Sequence, residues 1–316
     1  MSFVGGGTDF EDFYRQYPGR VLSTSINKCF YVMINSRFDG MIKLNYTQTE
    51  LVENINQIQH PLIKAALEET GVEKGVDIVS LADLPAQRTG LGLGASSSFT
   101  VGLLNGLYAF LGKYTSPEVL AEKACDIEIK KANSPIGKQD QYAVAFGGLN
   151  VITFNCDGKI DVDPIYLSPK LKDDFQKHLL LFFTGKERSG NPILSEQKQN
   201  IDKKFEVLKK MSDMVPVFRG FLEKGDFQKM GELLHEGWMM KKELASGISN
   251  PQIDEMYHLA LKAGAYGGKI LGAGGGGFLL VMAAPEIQPK IRETLSEYQL
   301  IPFRFSESGT KIVFKS

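Results

Sequence analysis

The sequence predicts an α+β fold, and three observations support this. Short segments rich in β-branched and aromatic residues fill much of the first half, residues from Pro192 to about Gly264 have a mostly helical pattern, and strand-like segments return near the end. Strands and helices that are segregated along the chain in this way favour α+β architecture over a regular βαβ winding. Apart from Gly274–Gly277, we find neither an internal repeat nor a low-complexity tract.

The elements of the first half follow from local composition. Strands are predicted where β-branched and aromatic residues cluster, at Val21–Ser25, Cys29–Asn35, Met41–Thr47, Val76–Leu81, Gly147–Phe154 and Lys159–Ile165. Helices are predicted at Pro61–Glu69, at Phe99–Leu111 and from Ser116 to Ala132. The second of these is apolar nearly all round, which indicates burial. In the third, Ser116 can cap the helix and the proline after it suits the first turn.

A crossing between two domains is predicted at the polar stretch Ser168–Lys177. The length of 316 residues permits two domains of moderate size. We therefore expect an N-terminal domain over residues 1–170 and a C-terminal domain over residues 171–316.

The elements of the second half follow in a different order. A strand is expected at Leu179–Thr184, and the helical stretch after it is interrupted near Gly225 and around Gly247–Pro251, where Gly, Ser, Asn and Pro cluster. The remaining predicted elements are a strand, a glycine-rich turn, a strand, a short helix, and strands near Pro302–Phe305 and Lys311–Phe314.

Composition and charge exclude several classes of protein. The chain has 36 Lys and Arg residues against 37 Asp and Glu residues, so no global field recruits nucleic acid or an anionic membrane. The longest apolar runs are too short to cross a bilayer. The three cysteines, Cys29, Cys125 and Cys156, are far apart and odd in number, which argues against a disulfide framework and a zinc site. We expect a cytoplasmic protein.

The glycine-rich stretch Gly90–Ser98 is predicted to bind phosphate. Its three glycines let backbone approach a ligand, and the residues after them begin a helix whose first amides have no internal partners. The helix dipole and these amides favour an anion, and a serine hydroxyl at the helix start can reach a cation. A serine that only caps the helix would need no glycines. No lysine follows the glycines, so the stretch is not a Walker A loop.

A second glycine cluster, Gly272–Gly277, contains the letters of a dinucleotide-binding motif. Too few residues remain after Gly277 for the rest of such a fold, and the next residues resemble a strand rather than a helix, so we reject this interpretation. A hairpin-like turn that presses bare backbone against another loop fits better, because four consecutive glycines cost chain entropy.

Two carboxylates are candidates for the chemistry. Glu128 lies off the polar stripe of its predicted helix, on a small apolar face, and should be buried against a cation, a metal or hydrogen-bond donors. An internal ion pair with a lysine or arginine is the alternative to a metal role. Asp140 could simply cap a helix. As a pair, one acid could hold Mg²⁺ while the other orients or deprotonates an attacking hydroxyl.

The N-terminal segment Gly5–Asp9 is a candidate sugar site. Three glycines beside Asp9 suit hydrogen bonding of a polyol. Thr8 and Glu11 also fit a capping box, which would be a purely structural role. The four histidines lack ligand spacing, and we assign them no catalytic role.

Taken together, these motifs resemble the GHMP small-molecule kinases, a family named for galactokinase, homoserine kinase, mevalonate kinase and phosphomevalonate kinase. Three motifs agree in order, at Ser2–Asp9, Gly90–Ser98 and Leu271–Phe278. Within the family, the similarity is greatest to the D-glycero-D-manno-heptose phosphate kinases, at Phe3–Asp9, Ser96–Gly102, Gly137–Ala143 and Phe183–Ser189. The resemblance implies a ribosomal-S5-like N-terminal domain and a ferredoxin-like C-terminal domain, with the active site between them.

The same resemblance implies a site for ATP, Mg²⁺ and a sugar. The residues implied to cradle the ATP phosphates are Gly90, Gly92, Leu93, Gly94, Ala95, Ser96 and Ser97. Ser96 and Glu128 would hold Mg²⁺, although Ala95 stands where a serine is usual, which leaves Ser96 and Ser97 both open as the metal-contacting hydroxyl. Asp140 would act on the sugar hydroxyl. The residues implied to contact the sugar are Gly7, Thr8, Asp9, Gly274, Gly275 and Arg188.

The resulting hypothesis is in-line transfer of the ATP γ-phosphoryl group to the anomeric hydroxyl of a heptose phosphate. A substrate that already bears phosphate needs further cations, and Arg188, Lys186 and Arg88 are candidates. The alternatives are a kinase of an unphosphorylated sugar, similar to galactokinase or fucokinase, and a non-catalytic sugar sensor on the same fold. The expected partner is a small sugar or sugar phosphate rather than nucleic acid or membrane, with a homodimer left open.

Overall fold

The computed structural model describes residues 1–84, 92–186 and 190–315. Its strands are β1 (Ser2–Val4), β2 (Gly19–Ile26), β3 (Phe30–Ser36), β4 (Ile42–Asn45), β5 (Thr49–Val52), β6 (Val76–Ala82), β7 (Leu149–Phe154), β8 (Ile160–Pro164), β9 (Leu179–Phe183), β10 (Gly267–Ile270), β11 (Phe278–Met282), β12 (Gln299–Leu300) and β13 (Phe305–Ser306).

The α-helices of the described residues are α1 (Glu11–Tyr14), α2 (Pro61–Thr70), α3 (Ala95–Phe110), α4 (Pro117–Cys125), α5 (Gln139–Phe146), α6 (Pro169–Lys177), α7 (Asn191–Gln199), α8 (Phe205–Lys224), α9 (Phe227–Lys242), α10 (Pro251–Ala263) and α11 (Gln288–Thr294). A 3₁₀ turn at Ile55–Gln57 and a π-helical segment at Asp126–Lys131 complete the set. No described helix has the length and apolar character that a membrane crossing requires.

The described strands form three sheets. The first has the order β1-β2-β7-β8, with every pair antiparallel, and β13 also pairs with β2. Because β13 comes from the end of the chain, this sheet joins segments that are nearly 280 residues apart, with Phe305 opposite Ile26.

The second sheet has the order β3-β6-β4-β5, and only the β4–β6 pair is parallel. Its inner face carries alternate residues such as Ile42 and Leu44, which are completely buried, as expected for a strand with one face on a core. Helix α3 packs against this sheet and buries Val101, Leu104 and Leu107. The nearly all-apolar sequence of α3 therefore corresponds to a helix in the middle of the N-terminal half.

The third sheet has the order β10-β11-β9-β12 and is antiparallel throughout. Its strand β11 is buried along its whole length. Leu279 and Val281 belong to one hydrophobic cluster, whereas Leu280 and Met282 belong to the other. Since successive side chains of a strand point to opposite faces, β11 lies between the two cores.

Most predicted elements are confirmed, with shifts of a few residues at their ends. The stretch Ser168–Lys177 forms a helix, α6, and the Ser168 hydroxyl caps it by accepting from the Leu171 amide at 3.2 Å. The strand expected at Lys311–Phe314 is wrong. Val313 and Phe314 are largely exposed and pair with no described strand, so their β propensity has no partner to act on.

Candidate active site

The start of α3 presents free backbone amides. Its N-cap, Gly94, has a left-handed backbone with φ +67°, and no side chain caps the helix. The first helical hydrogen bond runs from the Ser98 amide to the Gly94 carbonyl at 2.8 Å. The amides of Ala95, Ser96 and Ser97 precede that bond and are available to an anion.

The two glycine-rich segments touch each other through backbone. A Cβ on Gly92 would lie 2.4 Å from the Leu271 carbonyl oxygen, and a Cβ on Gly272 would lie 2.3 Å from the Gly92 Cα. Both residues also have positive φ angles, of +82° and +69°. The prediction that the second cluster is a turn between strands pressed against another loop is confirmed.

The later glycines of the same turn contact other parts of the C-terminal half. The Gly275 amide donates to the Ile248 carbonyl at 2.7 Å, and a Cβ on Gly274 would lie 2.6 Å from that oxygen. A Cβ on Gly276 would lie 2.7 Å from the Lys186 carbonyl oxygen. Of this cluster, Gly272 is thus the residue that reaches the segment before α3.

Glu128 is completely buried and surrounded by hydrogen-bond donors. The Ser97 hydroxyl donates to its Oε2 at 2.8 Å, and the Ser96 hydroxyl and the Gln141 side-chain amide also donate to the carboxylate. Burial raises the pKa of Glu128 above its usual value, although these three hydrogen bonds oppose the shift. The structure therefore brings Glu128 to the first turn of α3, and donors rather than a lysine or arginine satisfy it.

The backbone that carries Glu128 differs from the prediction. A continuous α-helix from Ser116 to Ala132 was expected, but α4 ends at Cys125 and Asp126–Lys131 is π-helical. The Ala132 amide accordingly bonds to the Ile127 carbonyl, five residues back. Extra residues of this kind inside helices are frequent at functional sites. The expected burial of Glu128 is nevertheless confirmed.

The groups around Glu128 are compatible with Mg²⁺. The Gln141 Oε1 is buried and accepts no hydrogen bond from any described residue, so it is an oxygen without a partner beside the carboxylate. Among the described residues, no three His, Cys, Asp or Glu side chains lie close enough together to hold one metal ion. A site with few protein oxygens suits Mg²⁺, which usually keeps water and substrate phosphates among its ligands.

Asp140 lies against the start of α3. It is the second residue of α5, whose N-cap is Lys138, so the alternative role as a helix cap is wrong. A Cβ on Gly94 would lie 3.4 Å from the Asp140 Cγ. Burial raises the pKa of Asp140, and the positive charges of the chain's terminal amine and Lys241 oppose this. A carboxylate therefore stands beside the amides that can bind phosphate.

Asp9 is a third carboxylate of this region and is buried, with a relative exposure of 2%. The Gly7 amide donates to its Oδ1 at 3.2 Å, and the Gln139 amide donates to its Oδ2 at 3.0 Å. Burial raises the pKa of Asp9 to about 6, with a further contribution from Asp140, while the backbone donors lower it. Asp9 and Asp140 are thus close enough for their charges to interact, as the sequence motifs imply.

Thr8 plays a different structural part from the capping box that was expected. Its hydroxyl donates to the carbonyls of Gly5 and Arg20, at 2.8 and 2.9 Å, and α1 is preceded by Phe10 without a side-chain cap. The capping-box prediction is wrong because β2 runs beside this loop, and the Thr8 hydroxyl bonds to the Arg20 carbonyl and amide instead of accepting from a helix amide. Thr8 therefore fixes the Gly5–Asp9 loop to β2.

Some of the implied site residues lie outside the described residues, and others were missed. Gly90, Arg188 and the candidate cation Arg88 belong to the first group. The missed residues are Gln141, Gln197 and Lys241. Gln141 could have been found from the sequence, because it follows Gln139 and Asp140 in the same short polar segment. The sequences of α7 and α9 contain no motif that singles out Gln197 or Lys241.

A pocket adjoins the start of α3. It is lined by Ile26, Lys28, Cys29, Phe30, Ala82, Leu84, Leu93, Ala95 and Ser98. Most of these side chains are apolar, and the pocket shares Ala95 with the segment of free amides. A flat apolar group joined to phosphates could therefore occupy both.

Two family models match this chain. Residues 56–148 match the GHMP kinases N terminal domain, and residues 218–298 match the GHMP kinases C terminal model. Together they cover more than half of the chain, and they include site residues of both its N-terminal half, such as Glu128 and Asp140, and its C-terminal half, such as Gly272. The chain belongs to the GHMP kinases. This membership confirms the expected two-domain GHMP kinase fold and makes the protein an ATP-dependent phosphotransferase.

Individual relatives agree with the family assignment. The chain is 26% identical to a D-glycero-alpha-D-manno-heptose 7-phosphate kinase of Campylobacter jejuni, over 98% of this chain and 96% of the relative. It is also 26% identical to the L-fucokinase/L-fucose-1-P guanylyltransferase of Bacteroides fragilis, over 94% of this chain but 35% of that longer protein. The structure also resembles a crystal structure of a D-glycero-D-manno-heptose 1-phosphate kinase from Bacteroides thetaiotaomicron, with a TM-score of 0.81 and 26% sequence identity. The match covers 98% of this chain and 94% of the chain in that crystal structure.

The contact between Gly92 and Gly272 gives a first prediction. Gly92→Ala should unfold at lower urea concentration than the wild type and should bind ATP at least about tenfold more weakly, because its Cβ collides with the Leu271 carbonyl. Gly112→Ala is the matched control, since Gly112 has a similar φ of +71° and no atom within 4 Å of the added Cβ. It should lose only the cost of the positive φ, about 1–2 kcal/mol, and keep nucleotide affinity. Equal effects of the two variants would contradict the contact.

The burial of Asp9 gives a second prediction. The folded-state pKa of about 6 lies above the ordinary value of 3.8, so Asp9 stabilises the fold below pH 3.8 and this contribution is lost as the pH rises through 6. Between pH 4 and 7 the wild type should lose up to about 3 kcal/mol of unfolding free energy that Asp9→Asn does not lose. Urea unfolding of both proteins across this range measures the difference. Parallel pH profiles of the two proteins would show that burial does not raise the pKa of Asp9.

Proposed function

We propose that this protein transfers the γ-phosphoryl group of ATP to the anomeric hydroxyl of a heptose phosphate. The observation that carries the proposal is the position of the Asp140 carboxylate against Gly94, beside the free amides of α3. The two heptose phosphate kinases support the sugar class, because each resembles this chain over nearly its whole length.

The nucleotide would occupy the start of α3 and the pocket beside it. Its phosphates would accept hydrogen bonds from the amides of Ala95, Ser96 and Ser97, where the helix dipole favours negative charge. Its base would lie in the apolar pocket that includes Phe30 and Leu93. Gly92 and Gly94 would allow the phosphates to approach the backbone.

Mg²⁺ would be held by Glu128 and by a hydroxyl of Ser96 or Ser97, with Gln141 Oε1 nearby. When bound, the ion supplies positive charge that neutralises the β- and γ-phosphate oxygens. Ser96 is exposed and Ser97 is buried, so Ser96 is the hydroxyl that a ligand can reach without repacking. Ser97 then orients the Glu128 carboxylate through its 2.8 Å hydrogen bond.

Asp140 would accept the proton of the sugar hydroxyl. The hydroxyl oxygen forms a bond to the γ-phosphorus while the bond from that phosphorus to the β,γ-bridging oxygen breaks, and its electron pair leaves with ADP. The raised pKa of the half-buried Asp140 makes the carboxylate a better base than an exposed aspartate. The products are ADP, a heptose that carries two phosphates, and one proton.

The sugar would lie between Asp9 and the C-terminal half. The loop formed by Gly7, Thr8 and Asp9 positions the Asp9 carboxylate through the Gly7 amide. Gln197 lies beside this loop, because a Cβ on Gly7 would be 2.5 Å from the Gln197 Nε2. Arg188 and the Gly274–Gly275 segment would contact the sugar or its existing phosphate. The site would then lie between the proposed domains, residues 1–170 and 171–316. Cys29 and Cys156 are exposed and free, which fits a reducing cytoplasm.

The substrate class is tested by ADP release in a coupled assay with a panel of sugars. D-glycero-D-manno-heptose 7-phosphate should give a kcat/KM at least about a hundredfold above those of free heptose, L-fucose and D-galactose, because a lost charge-assisted phosphate contact costs a few kcal/mol. Higher turnover of a free sugar would instead establish the galactokinase-like or fucokinase-like alternative. Sugar binding without turnover would establish a sensor.

The role of Asp140 is tested by Asp140→Asn. We expect kcat to fall by about 10²–10⁴ while nucleotide affinity is kept, because the amide cannot accept the proton. Asp126→Asn is the control, since Asp126 pairs with Lys130 at 2.7 Å on the exposed side of the same region. It should keep kcat within about twofold, as surface ion pairs contribute little. Full activity of Asp140→Asn would refute the proposed base.

A further inference from the structure

Lys241 is a buried lysine that no sequence motif singled out. It lies in the last turn of α9 with a relative exposure of 6%, and its Nζ donates a hydrogen bond to the Gly272 carbonyl. No described carboxylate lies within 4 Å of this ammonium group. Since an ammonium has three N–H donors, one hydrogen bond leaves two of them for a further partner.

The position of Lys241 puts its charge at the junction of the glycine segments. Gly272, its hydrogen-bond partner, lies in backbone contact with Gly92, which precedes the free amides of α3. The charge of Lys241 also acts on Asp140 and Asp9, which in turn favour its protonated form. One cation is therefore shared by the phosphate segment and the two carboxylates.

The charge balance of the site requires such a cation. Asp9 and Glu128 are buried, and Asp140 is half-buried, beside the place that a nucleotide phosphate would occupy. Burial lowers the pKa of Lys241 to about 8, so the free protein gains little from burying this ammonium. An anion that binds and pairs with the Lys241 ammonium offsets the free-energy cost of burying this charge.

We propose that the Lys241 ammonium contacts the γ-phosphoryl group of ATP and neutralises the charge that develops on its oxygens during transfer. This inference rests on the proposed kinase function and adds to it a cation supplied by the C-terminal half. Lys241 keeps its hydrogen bond to Gly272, donates a second one to a γ-phosphoryl oxygen, and is neither deprotonated nor consumed. Donors aimed at developing charge in a dry site are the strongest electrostatic contribution to catalysis.

The competing explanation is that Lys241 only holds the Gly272 turn in place. Lys241→Gln separates the two, because a glutamine amide can still donate to the Gly272 carbonyl but has no charge. Lys242→Gln is the matched control, as the next residue of α9 pairs with Asp254 at 3.2 Å on the surface. We expect Lys241→Gln to lower kcat by about 10²-fold and Lys242→Gln to leave it unchanged.

Nucleotide binding provides a readout that does not depend on the sugar. Calorimetry should show that Lys241→Gln weakens ATP by about tenfold relative to ADP, since only ATP carries the γ-phosphate. If the wild type phosphorylates no sugar, the proposed function fails, and this ratio still decides the role of Lys241. Equal weakening of ATP and ADP, or an unchanged ratio, would overturn the inference.

Chemical rescue covers the case in which glutamine disturbs packing. Lys241→Ala leaves space for a propylammonium ion, so added propylamine at a pH below 9 should restore part of the lost kcat. The same amine should have no effect on the wild type or on Lys242→Ala. A turn-holding role predicts no rescue together with a lower unfolding midpoint.

Discussion

The backbone contact between Gly92 and Gly272 is the constraint on which the site depends. A side chain on Gly92 would collide with the Leu271 carbonyl, and a side chain on Gly272 would collide with the Gly92 backbone, so the two loops approach more closely than side-chain packing permits. One loop leads into the free amides of α3, and the other receives the ammonium of Lys241. Groups that are far apart in the sequence, one from the N-terminal half and the others from the C-terminal half, therefore meet at this contact.

The second constraint is the enclosure of three carboxylates in one region, where Glu128 and Asp9 are buried and Asp140 is half-buried. A buried charge is costly unless donors or cations surround it. Glu128 is satisfied by two serine hydroxyls and an amide, and Asp9 mainly by backbone amides. Asp140 accepts no hydrogen bond from the described residues and is offset only by more distant positive charge. The carboxylate assigned to proton transfer is thus the one that its surroundings leave available.

Sequence reasoning located the parts of the site that local patterns determine. Glycine spacing identified both loops, because few other roles require so many residues without side chains, and helical periodicity identified Glu128 as buried. It could not identify the π-helical segment, since one extra residue per turn leaves the apolar pattern nearly unchanged. The capping-box assignment for Thr8 failed for a similar reason: its hydroxyl bonds to the Gly5 carbonyl within the loop and to the Arg20 carbonyl, which the tertiary packing of β2 brings to it. In the sequence Lys241 looks like its neighbour Lys242, and only the packing of α9, which buries Lys241 and leaves Lys242 half-buried, distinguishes them.

The same packing explains how a residue of the C-terminal half can act on chemistry set up by the N-terminal half. Phe3 of β1 stacks with Phe218 of α8 at 5.7 Å and lies 5.1 Å from the ring of Phe175 in α6. The buried Lys269 of β10 donates to the Phe3 carbonyl at 2.9 Å, which ties β1 to the strand that leads into the Gly272 turn. Because the segment after β1 carries Asp9, movement of the two halves would shift Asp9 relative to Gly272 and Lys241. A site assembled from both halves is therefore only as rigid as this aromatic and hydrogen-bonded junction.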